Sequence, residues 1–266
     1  MATQNLYDAY YFKHGCGKPY ERTAEWLQFF GGIADKIVHE IGPRTVLDVG
    51  CAMGFLVEGL RERGVEAYGI DISAYALERV RDDIKPYCRL ASVLEPLPQR
   101  YDLIVCIEVL EHLSAPDAER AIANLCRASD DILFSSTPFD YREATHFNVQ
   151  PPEYWAELFA RHAFFRDVDF DASFITPWAT RFRSRNEPVS RVVRDYERKF
   201  WRLWKENVDL RSLAGEMQGR LAEQEETLEK MSNQLTELER SRGWRLLTLL
   251  RRMRKLVAWS GSRIVG

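Results

Sequence analysis

The sequence has few cysteines, and none of them form the C-x-x-C spacing of metal and redox sites; the five stand at positions 16, 51, 88, 106 and 126. An odd, scattered set excludes a fully paired disulfide framework and indicates reduced thiols, so we expect a cytoplasmic protein. The start of the chain has neither a basic leader nor an apolar segment, and we expect no signal peptide. No apolar run approaches the length of a membrane span.

The chain also has little net charge. Its 266 residues carry a formal charge of −3, which gives no overall attraction to nucleic acid, and the basic residues concentrate at the C-terminal end. We therefore expect no nucleic-acid partner. With 45% apolar residues the sequence can form a hydrophobic core, either as one large domain or as one domain with an appendage.

The most informative segment is TVLDVGCAMGFLVEGL, residues 45–60. Its first part is a buried-strand pattern, which breaks at Gly50 and resumes as a helical pattern after Gly54. A strand, a glycine turn and a helix in this order offer free backbone N–H groups to a nucleotide-like ligand. Asp71 ends a second strand pattern 21 residues beyond Gly50, where an acid can accept both hydroxyls of a ribose.

The turn differs from the G-x-G-x-x-G turn of dinucleotide-binding proteins. Ala52 occupies its middle position, and Asp48 precedes it, which suits a cationic ligand better than a pyrophosphate. D-x-G-x-[GA]-x-G with a second acid about twenty residues on resembles the S-adenosylmethionine-binding motif of class I methyltransferases. The resemblance implies a cofactor site made of the turn, the two acids and the ends of the following strands: Asp48, Gly50, Ala52, Gly54, Asp71, Ile72, Ser92, Val93 and Glu108.

Strand and helix patterns alternate as far as residue 183. The pattern predicts a helix over 73–84 that opens with Ser73 as its N-cap, strands over 88–93 and 101–107, and a fifth strand over 131–138 that ends in a turn. A helix over 152–162 and a strand pair from 164 follow. Such alternation calls for a parallel sheet with helices on both faces. With the resemblance, the predicted fold of residues 41–183 is α/β: a Rossmann-like, seven-stranded, mostly parallel sheet.

Three residues are candidates for catalysis. Methyl transfer from a sulfonium is an in-line displacement, so the protein must align the acceptor and, for a hydroxyl, remove its proton. His112 follows the fourth strand and His146 lies in the loop after the fifth, both at the edge of the sheet where open α/β proteins bind ligands. Either imidazole is a candidate proton acceptor, and Glu111 is the third candidate. The alternative for His112 is a helix-start histidine that bonds only to the local chain.

A metal is a second hypothesis for the same segment. Glu108, Glu111 and His112 stand at i, i+3 and i+4, which share one face if a helix starts there. E-x-x-E-H with a later histidine resembles the magnesium or manganese site of small-RNA 2′-O-methyltransferases and of some ubiquinone-pathway O-methyltransferases, and would enlist His146 as the fourth ligand. Our expectation is that no metal is used and that the two glutamates cap and solvate a helix start.

Aromatic side chains crowd residues 1–40, ahead of the first strand. We expect residues 7–20 to form a lid over cofactor and acceptor, and residues 26–30 to belong to a helix packed on the sheet edge. The aromatic residues of this region are Tyr7, Tyr10, Tyr11, Phe12, Tyr20, Trp26, Phe29 and Phe30.

Residues 187–240 have a different design. From 189 to 238 there is no proline, and apolar residues keep a seven-residue frame, with Asn207 and Gln224 as polar interruptions. Fifty helical residues extend about 75 Å, and a single helix of that length cannot bury its apolar seam alone. We expect a parallel homodimeric coiled coil over 189–238. The alternative, that the helix folds back on the first domain, applies to residues 189–205.

Residues 243–266 form a basic tail. Residues 244–259 place apolar side chains on one face and basic ones on the rest, and no acid follows Glu239. A basic amphipathic helix fits an anionic membrane surface, and docking on a protein partner is the alternative. The sequence SRGWRLL, residues 241–247, also resembles the tails of bacterial surface-polysaccharide enzymes.

These observations lead to a functional expectation. The resemblance implies an S-adenosylmethionine-dependent methyltransferase, with Mg or Mn as an alternative further cofactor. The tail directs the acceptor hypothesis to a sugar hydroxyl in surface-glycan biosynthesis, at the inner face of the membrane. Two alternatives are an O-methyltransferase of a soluble aromatic or isoprenoid small molecule, and a catalytically inactive coiled-coil scaffold.

Overall fold

The structure is a computed structural model, and it describes residues 6–261. Its helices and strands alternate through most of the chain, and two long helices end it. In chain order they are α1 (Ala9–His14), α2 (Ala24–Lys36), β1 (Thr45–Val49), α3 (Phe55–Glu62), β2 (Glu66–Asp71), α4 (Ala74–Glu78), β3 (Cys88–Leu90), β4 (Leu103–Ile107), α5 (Ala115–Ala128), β5 (Asp131–Ser135), α6 (Pro152–Ala160), β6 (Phe164–Arg166), β7 (Thr180–Ser184), α7 (Val189–Arg240) and α8 (Arg242–Gly261).

The strands form one seven-stranded sheet in the order β3-β2-β1-β4-β5-β7-β6. Strands β1 to β5 are parallel, and β7 runs antiparallel between β5 and β6. Val49 pairs with Ile70 of β2 on one side and with Cys106 of β4 on the other. The chain order reverses between β1 and β4, and ligands of open α/β sheets bind at such a point. The prediction of a seven-stranded, mostly parallel sheet is confirmed.

Successive residues of the central strands serve two hydrophobic cores, one on each face of the sheet. Leu47 and Ile104 pack with side chains of α5 and α6, whereas Val46 and Val105 pack with side chains of α2 and α3. All four side chains are fully buried, which contributes about 1.5–3 kcal/mol each relative to exposure. Helices therefore cover both faces, and this is why the central strands read as nearly continuous apolar runs.

The N-terminal segment packs in a third cluster. Tyr7 and Phe12 are buried with Phe55, the first residue of α3. The hydroxyl of Ser73 donates a 2.6 Å hydrogen bond to the carbonyl of Tyr7, and Asp8 caps α1. These contacts hold residues 7–20 over the turn after β1. The lid role of this segment stays a prediction.

Two elements are shorter than the sequence predicts. Ser73 caps α4 as expected, accepting from the backbone of Ala76 at 3.1 Å, but the helix ends at Glu78 instead of continuing to residue 84. Strand β3 ends at Leu90, because the Ser92 side chain accepts from the backbone of Leu94 and turns the chain. All five cysteines are free thiols, as their scattered spacing predicts.

The chain divides into two compact units, Met1–Lys199 and Phe200–Gly266. Helix α7 is continuous over 52 residues, as predicted, and it has one buried residue within the described chain, Val192. Side chains of the predicted seam are exposed, among them Phe200 at 67% and Leu228 at 65%. The coiled coil itself stays a prediction.

Helix α8 follows a break at Ser241. Of the predicted amphipathic tail, residues 262–266 and the side chains of 252 and 254–261 lie outside the described residues. In the part of the chain that the structure describes, no helix has both the length and the apolar character to cross a membrane.

The turn after β1 yields a test of stability. Gly50 has a φ of +76°, and a Cβ there would lie 2.4 Å from Cγ2 of Val109, a stiff β-branched side chain. Gly64 has a φ of +81° with nothing within 4 Å of its Cβ position. Gly64→Ala should therefore lose about 1 kcal/mol through its backbone alone, whereas Gly50→Ala should lose about 3 kcal/mol. Urea unfolding measures both losses, and equal values would contradict this account of the turn.

Candidate functional site

A cavity of about 470 Å³ lies at the carboxyl ends of β1, β2 and β4. This volume is within the range of small-molecule sites. Strand ends supply its floor through Asp48, Asp71 and Glu108, and the N-terminal segment covers it with the aromatic side chains of Tyr7 and Tyr11. The sheet positions the polar groups, while the third cluster positions the aromatic ones.

The glycine turn forms one wall of the cavity. Gly50 donates a 2.8 Å hydrogen bond to the carbonyl of Ile70, and Ala52 donates one of 2.8 Å to the Asp71 carboxylate. Ala52 has a left-handed φ of +46°, so alanine adopts the conformation that glycine would favour at this position. Gly54 does not line the cavity; it has a φ of +73° and is the N-cap residue of α3. The turn therefore presents its backbone, and Asp71 fixes it.

Two acids line the cavity, the buried Asp48 and the partly buried Asp71. Burial, followed by the charge of Asp71, raises the pKa of Asp48 to about 8, and burial also raises the pKa of Asp71. Within residues 6–261 neither carboxylate forms an ion pair, although Asp71 accepts hydrogen bonds from the backbone of Ala52 and Ser73. Two uncompensated carboxylates favour a cationic ligand, which would restore their ordinary ionisation.

The remaining predicted cofactor residues also come together here. Ile72, Ser92, Val93 and Glu108 all line the cavity. The Ser92 hydroxyl lies in the cavity wall while accepting from the backbone of Leu94 at 3.1 Å. Apart from Gly54, every residue that the resemblance placed near the cofactor contributes to this one cavity.

His112 lies in the cavity wall, on a short 3-10 turn. Its Nδ1 atom is 3.0 Å from Oγ1 and 3.1 Å from the carbonyl of Thr145, and its Nε2 atom is 3.5 Å from the hydroxyl of Tyr11. Burial, followed by the neighbouring His146, lowers the pKa of His112 to about 4. The imidazole is therefore neutral at pH 7. Its side chain bonds across to a different loop, so the alternative of a purely local contact is wrong.

His146 lies beside it, with ring centroids 4.6 Å apart. Its Nδ1 atom bonds to the carbonyl of Asp140 at 2.8 Å, and its Nε2 atom is 3.4 Å from the carboxylate of Glu143. Both ring nitrogens thus have protein neighbours. Of the two predicted histidines, His112 directs a nitrogen toward the cavity and the aromatic cover.

Glu111 does not fit the catalytic role predicted for it. Its side chain is fully buried, does not line the cavity and accepts a 3.3 Å hydrogen bond from the backbone of Thr137. Burial and the adjacent Glu108 raise its pKa. Glu108 does line the cavity, and its carboxylate accepts from the Ser135 hydroxyl and from Trp178 Nε1.

The four-residue metal set is not assembled. Glu108 has a left-handed φ of +52°, residues 110–112 form a 3-10 turn, and α5 begins only at Ala115. The i, i+3, i+4 face that the metal hypothesis needs therefore does not exist. The two glutamates contact each other, and neither joins the histidines: in the described chain, the group with ligand atoms within 4.8 Å of one another is His112, Glu143 and His146. The E-x-x-E-H residues do not fit a shared ion.

Sequence reasoning missed Glu143, Thr145 as a partner of His112, and Trp178. Glu143 accepts from both the backbone and the hydroxyl of Thr145, at 3.0 and 2.8 Å. The sequence feature that could have indicated the Glu143–Thr145 contacts is the loop between β5 and α6, where two acids, a threonine and a histidine stand within seven residues. Trp178, between β6 and β7, gave no signal, because its contact with Glu108 spans 70 residues.

The sequence is similar to those of known methyltransferases. A family model described as a methyltransferase domain matches residues 19–170, more than half of the chain. The chain is 35% identical over 119 residues to the ubiquinone biosynthesis O-methyltransferase of Serratia proteamaculans, covering 41% of this chain and 46% of that protein. It is 31% identical over 146 residues to the enzyme of the same name from Azoarcus, covering 52% and 59%. The chain thus spans about half the length of the curated relatives it matches.

A solved structure agrees in fold. An amino pentose methyltransferase from Micromonospora echinaspora, solved with S-adenosylmethionine, superposes with a TM-score of 0.50 at 14% identity, over 62% of this chain and 93% of that one. At this identity the likeness concerns the fold alone. With the sheet order, the glycine turn and the family match over residues 19–170 in agreement, the chain belongs to the methyltransferase-domain family.

Proposed function

We propose that the protein is an S-adenosylmethionine-dependent methyltransferase whose 470 Å³ cavity holds the cofactor. The observation that carries this proposal is the pair of acids at adjacent strand ends, the buried Asp48 and the partly buried Asp71, without a cationic partner in the described chain. S-adenosylmethionine brings an ammonium group and a sulfonium as positive charge for this site, and a ribose whose hydroxyls can donate to Asp71. A dinucleotide would bring a pyrophosphate instead, and two carboxylates would repel it.

The neutral side chain of His112 is the proton acceptor in this proposal. Its Nδ1 atom is bonded to Thr145, so the proton of the neutral ring resides there and Nε2 carries a lone pair toward the cavity. A hydroxyl placed between Nε2 and the methyl group can give its proton to the ring while its oxygen attacks the methyl carbon. Bound S-adenosylmethionine would supply the methyl group and keep the electron pair of the broken bond on its sulfur, and the protonated imidazole of His112 returns its proton to water.

The acceptor is a hydroxyl of a small molecule. The names of the relatives, ubiquinone biosynthesis O-methyltransferases, favour an aromatic or isoprenoid acceptor, and so does the aromatic cover with Tyr7, Tyr11 and Phe29. A sugar hydroxyl of a surface glycan is the second acceptor class, and its support is the style of the tail.

An acceptor screen separates the two classes. The full chain is incubated with S-adenosylmethionine carrying a labelled methyl group and with catechols, prenylated phenols, nucleotide sugars or oligosaccharides. Label should pass to phenolic hydroxyls, and His112→Asn should reduce this transfer by about 100-fold or more because the base is lost. Label on sugars alone would contradict the aromatic assignment, and the absence of label on every acceptor would support the scaffold alternative.

Cofactor binding should depend on pH through Asp48. Its raised pKa of about 8 means that the carboxyl is largely neutral at pH 6, and it must ionise to meet a cation. Affinity should therefore rise about tenfold per pH unit between pH 6 and 7.5, with release of a proton, while the cofactor ammonium stays charged. Calorimetry in two buffers of different ionisation enthalpy measures both effects.

Asp48→Asn is the matched control for this titration, since the amide imitates the neutral acid. Its affinity at pH 7.5 should equal that of the wild-type protein at low pH, and most of its pH dependence should be gone. Wild-type affinity that is the same at pH 6 and 7.5 would exclude Asp48 as the group that meets the charge.

We propose that the protein is a homo-oligomer through residues 189–238. The support is the exposed seam of α7, which includes Leu221 at 57% and Leu228 at 65%. A solitary helix of this length leaves too much apolar surface in water, and pairing seam to seam removes it.

Sedimentation velocity tests this assembly with a pair of variants. Leu221→Asp puts a charge into the seam, whereas Ala222→Asp puts the same charge on the neighbouring, outer position of the same helix. Wild-type protein and Ala222→Asp should sediment as a dimer, and Leu221→Asp should shift toward monomer at micromolar concentration. A monomeric wild-type chain, or equal behaviour of the two variants, would rule out the seam as the interface.

A further inference from the structure

The loop between β5 and α6 holds a chain of hydrogen bonds that ends on His112. Glu143 accepts from the backbone N–H of Thr145 at 3.0 Å and from its hydroxyl at 2.8 Å, one bond to each carboxylate oxygen. The same hydroxyl oxygen lies 3.0 Å from His112 Nδ1. Thr145 is buried, 9% exposed, so these contacts are largely shielded from water.

The direction of these bonds fixes the proton of the ring. Because the hydroxyl hydrogen of Thr145 is donated to Glu143, its oxygen can only accept from His112. The carbonyl of Thr145, 3.1 Å from the same Nδ1 atom, is also an acceptor. Two independent acceptors thus place the hydrogen on Nδ1 and leave Nε2 with its lone pair.

The free nitrogen faces the cavity, and an O–H group is already near it. The Tyr11 hydroxyl lies 3.5 Å from Nε2, beneath the aromatic cover that Tyr7 also forms. Burial raises the pKa of Tyr11 far above its ordinary value, so this group is a phenol with a hydrogen to give. The position of the Tyr11 oxygen therefore marks where an acceptor hydroxyl can reach the ring.

We propose that Thr145 and Glu143 are positioning residues for His112. They hold its ring with Nε2 unprotonated, and they stabilise the imidazolium that forms when Nε2 takes the proton of the acceptor hydroxyl. This inference rests on the proposed function. In the step, the acceptor O–H bond breaks with its proton moving to Nε2, the oxygen–methyl bond forms, and the sulfur–methyl bond breaks with its electron pair remaining on sulfur. Glu143 supplies the negative charge that faces the new cation through Thr145.

Other groups around the ring do not take this role. Tyr7 and Tyr11 contact it through their rings and the Tyr11 hydroxyl, on the cavity side. His146 packs at 4.6 Å between ring centroids and lowers the pKa of His112. Glu143 is the carboxylate whose charge acts to raise that pKa, and Thr145 is the group that connects it to Nδ1.

The first test is spectroscopic and needs no activity. Nitrogen-15 NMR of the full chain with labelled histidine, in a buffer with EDTA, distinguishes the two neutral tautomers of His112, which His112→Asn identifies by loss of its signals. We expect Nδ1 protonated and Nε2 unprotonated at pH 7. A ring protonated on Nε2 would overturn the proposal, because the unprotonated nitrogen would then be Nδ1, which faces Thr145 and not the cavity.

The second test separates charge from geometry. Glu143→Gln keeps an oxygen for the Thr145 hydroxyl but removes the charge, and Thr145→Val removes the hydroxyl at nearly constant volume. Both should lower kcat by about 10- to 100-fold, below the loss of about 100-fold or more expected for the base itself, with KM for the cofactor unchanged. Thr145→Ser, which keeps the hydroxyl, should restore most of kcat.

Thr180→Val is the control variant: it measures the loss of stability that the same substitution causes at another buried threonine, on β7. It should lower the melting temperature without lowering kcat. If Thr145→Val behaves in the same way, Thr145 is only structural and the proposal is wrong. If the wild-type chain transfers no methyl group to any acceptor, the proposed function fails, while the tautomer measurement still decides the arrangement at His112.

Discussion

The structure depends on the way two acids are buried at the ends of β1 and β2. Asp71 accepts hydrogen bonds from Ala52 and Ser73, so it joins the turn after β1 to the start of α4. Asp48 lies one strand away with a pKa raised to about 8, which means that the protein keeps an ionisable group where ionisation is costly. Within residues 6–261 neither acid has a cationic partner, so a cationic ligand would favour the ionised form of both. The cavity lies at that place, and the aromatic side chains of Tyr7 and Tyr11 line it.

Local patterns predicted the parts of this arrangement that local physics determines. The strand, turn and helix of residues 45–60 follow from an apolar run, glycines that adopt left-handed backbone, and a helical repeat, and all three were found. Ser73 was recognised as a cap because serine at that place bonds the first turn whatever surrounds it. The two acids could be assigned to one site because parallel strands bring their carboxyl ends to the same edge.

The parts that sequence could not predict depend on contacts between distant residues. The segment after β4 reads as a helix start, but Glu108 adopts a left-handed conformation and its carboxylate bonds to Ser135 and Trp178, so the expected helical face is lost. Glu111 is then buried, accepts a hydrogen bond from the backbone of Thr137 and does not line the cavity. The proximity of Glu143 to His112 could not be predicted, because it depends on how the loop after β5 folds against His112.

We infer that the cavity is built for a methyl donor with positive charge and not for a dinucleotide. Calorimetric titration of the full chain at pH 7.5 with S-adenosylmethionine, and in parallel with NAD, tests it most directly. The account predicts saturable binding of S-adenosylmethionine at one site per chain and none of NAD. Binding of NAD, or the absence of S-adenosylmethionine binding, would contradict it.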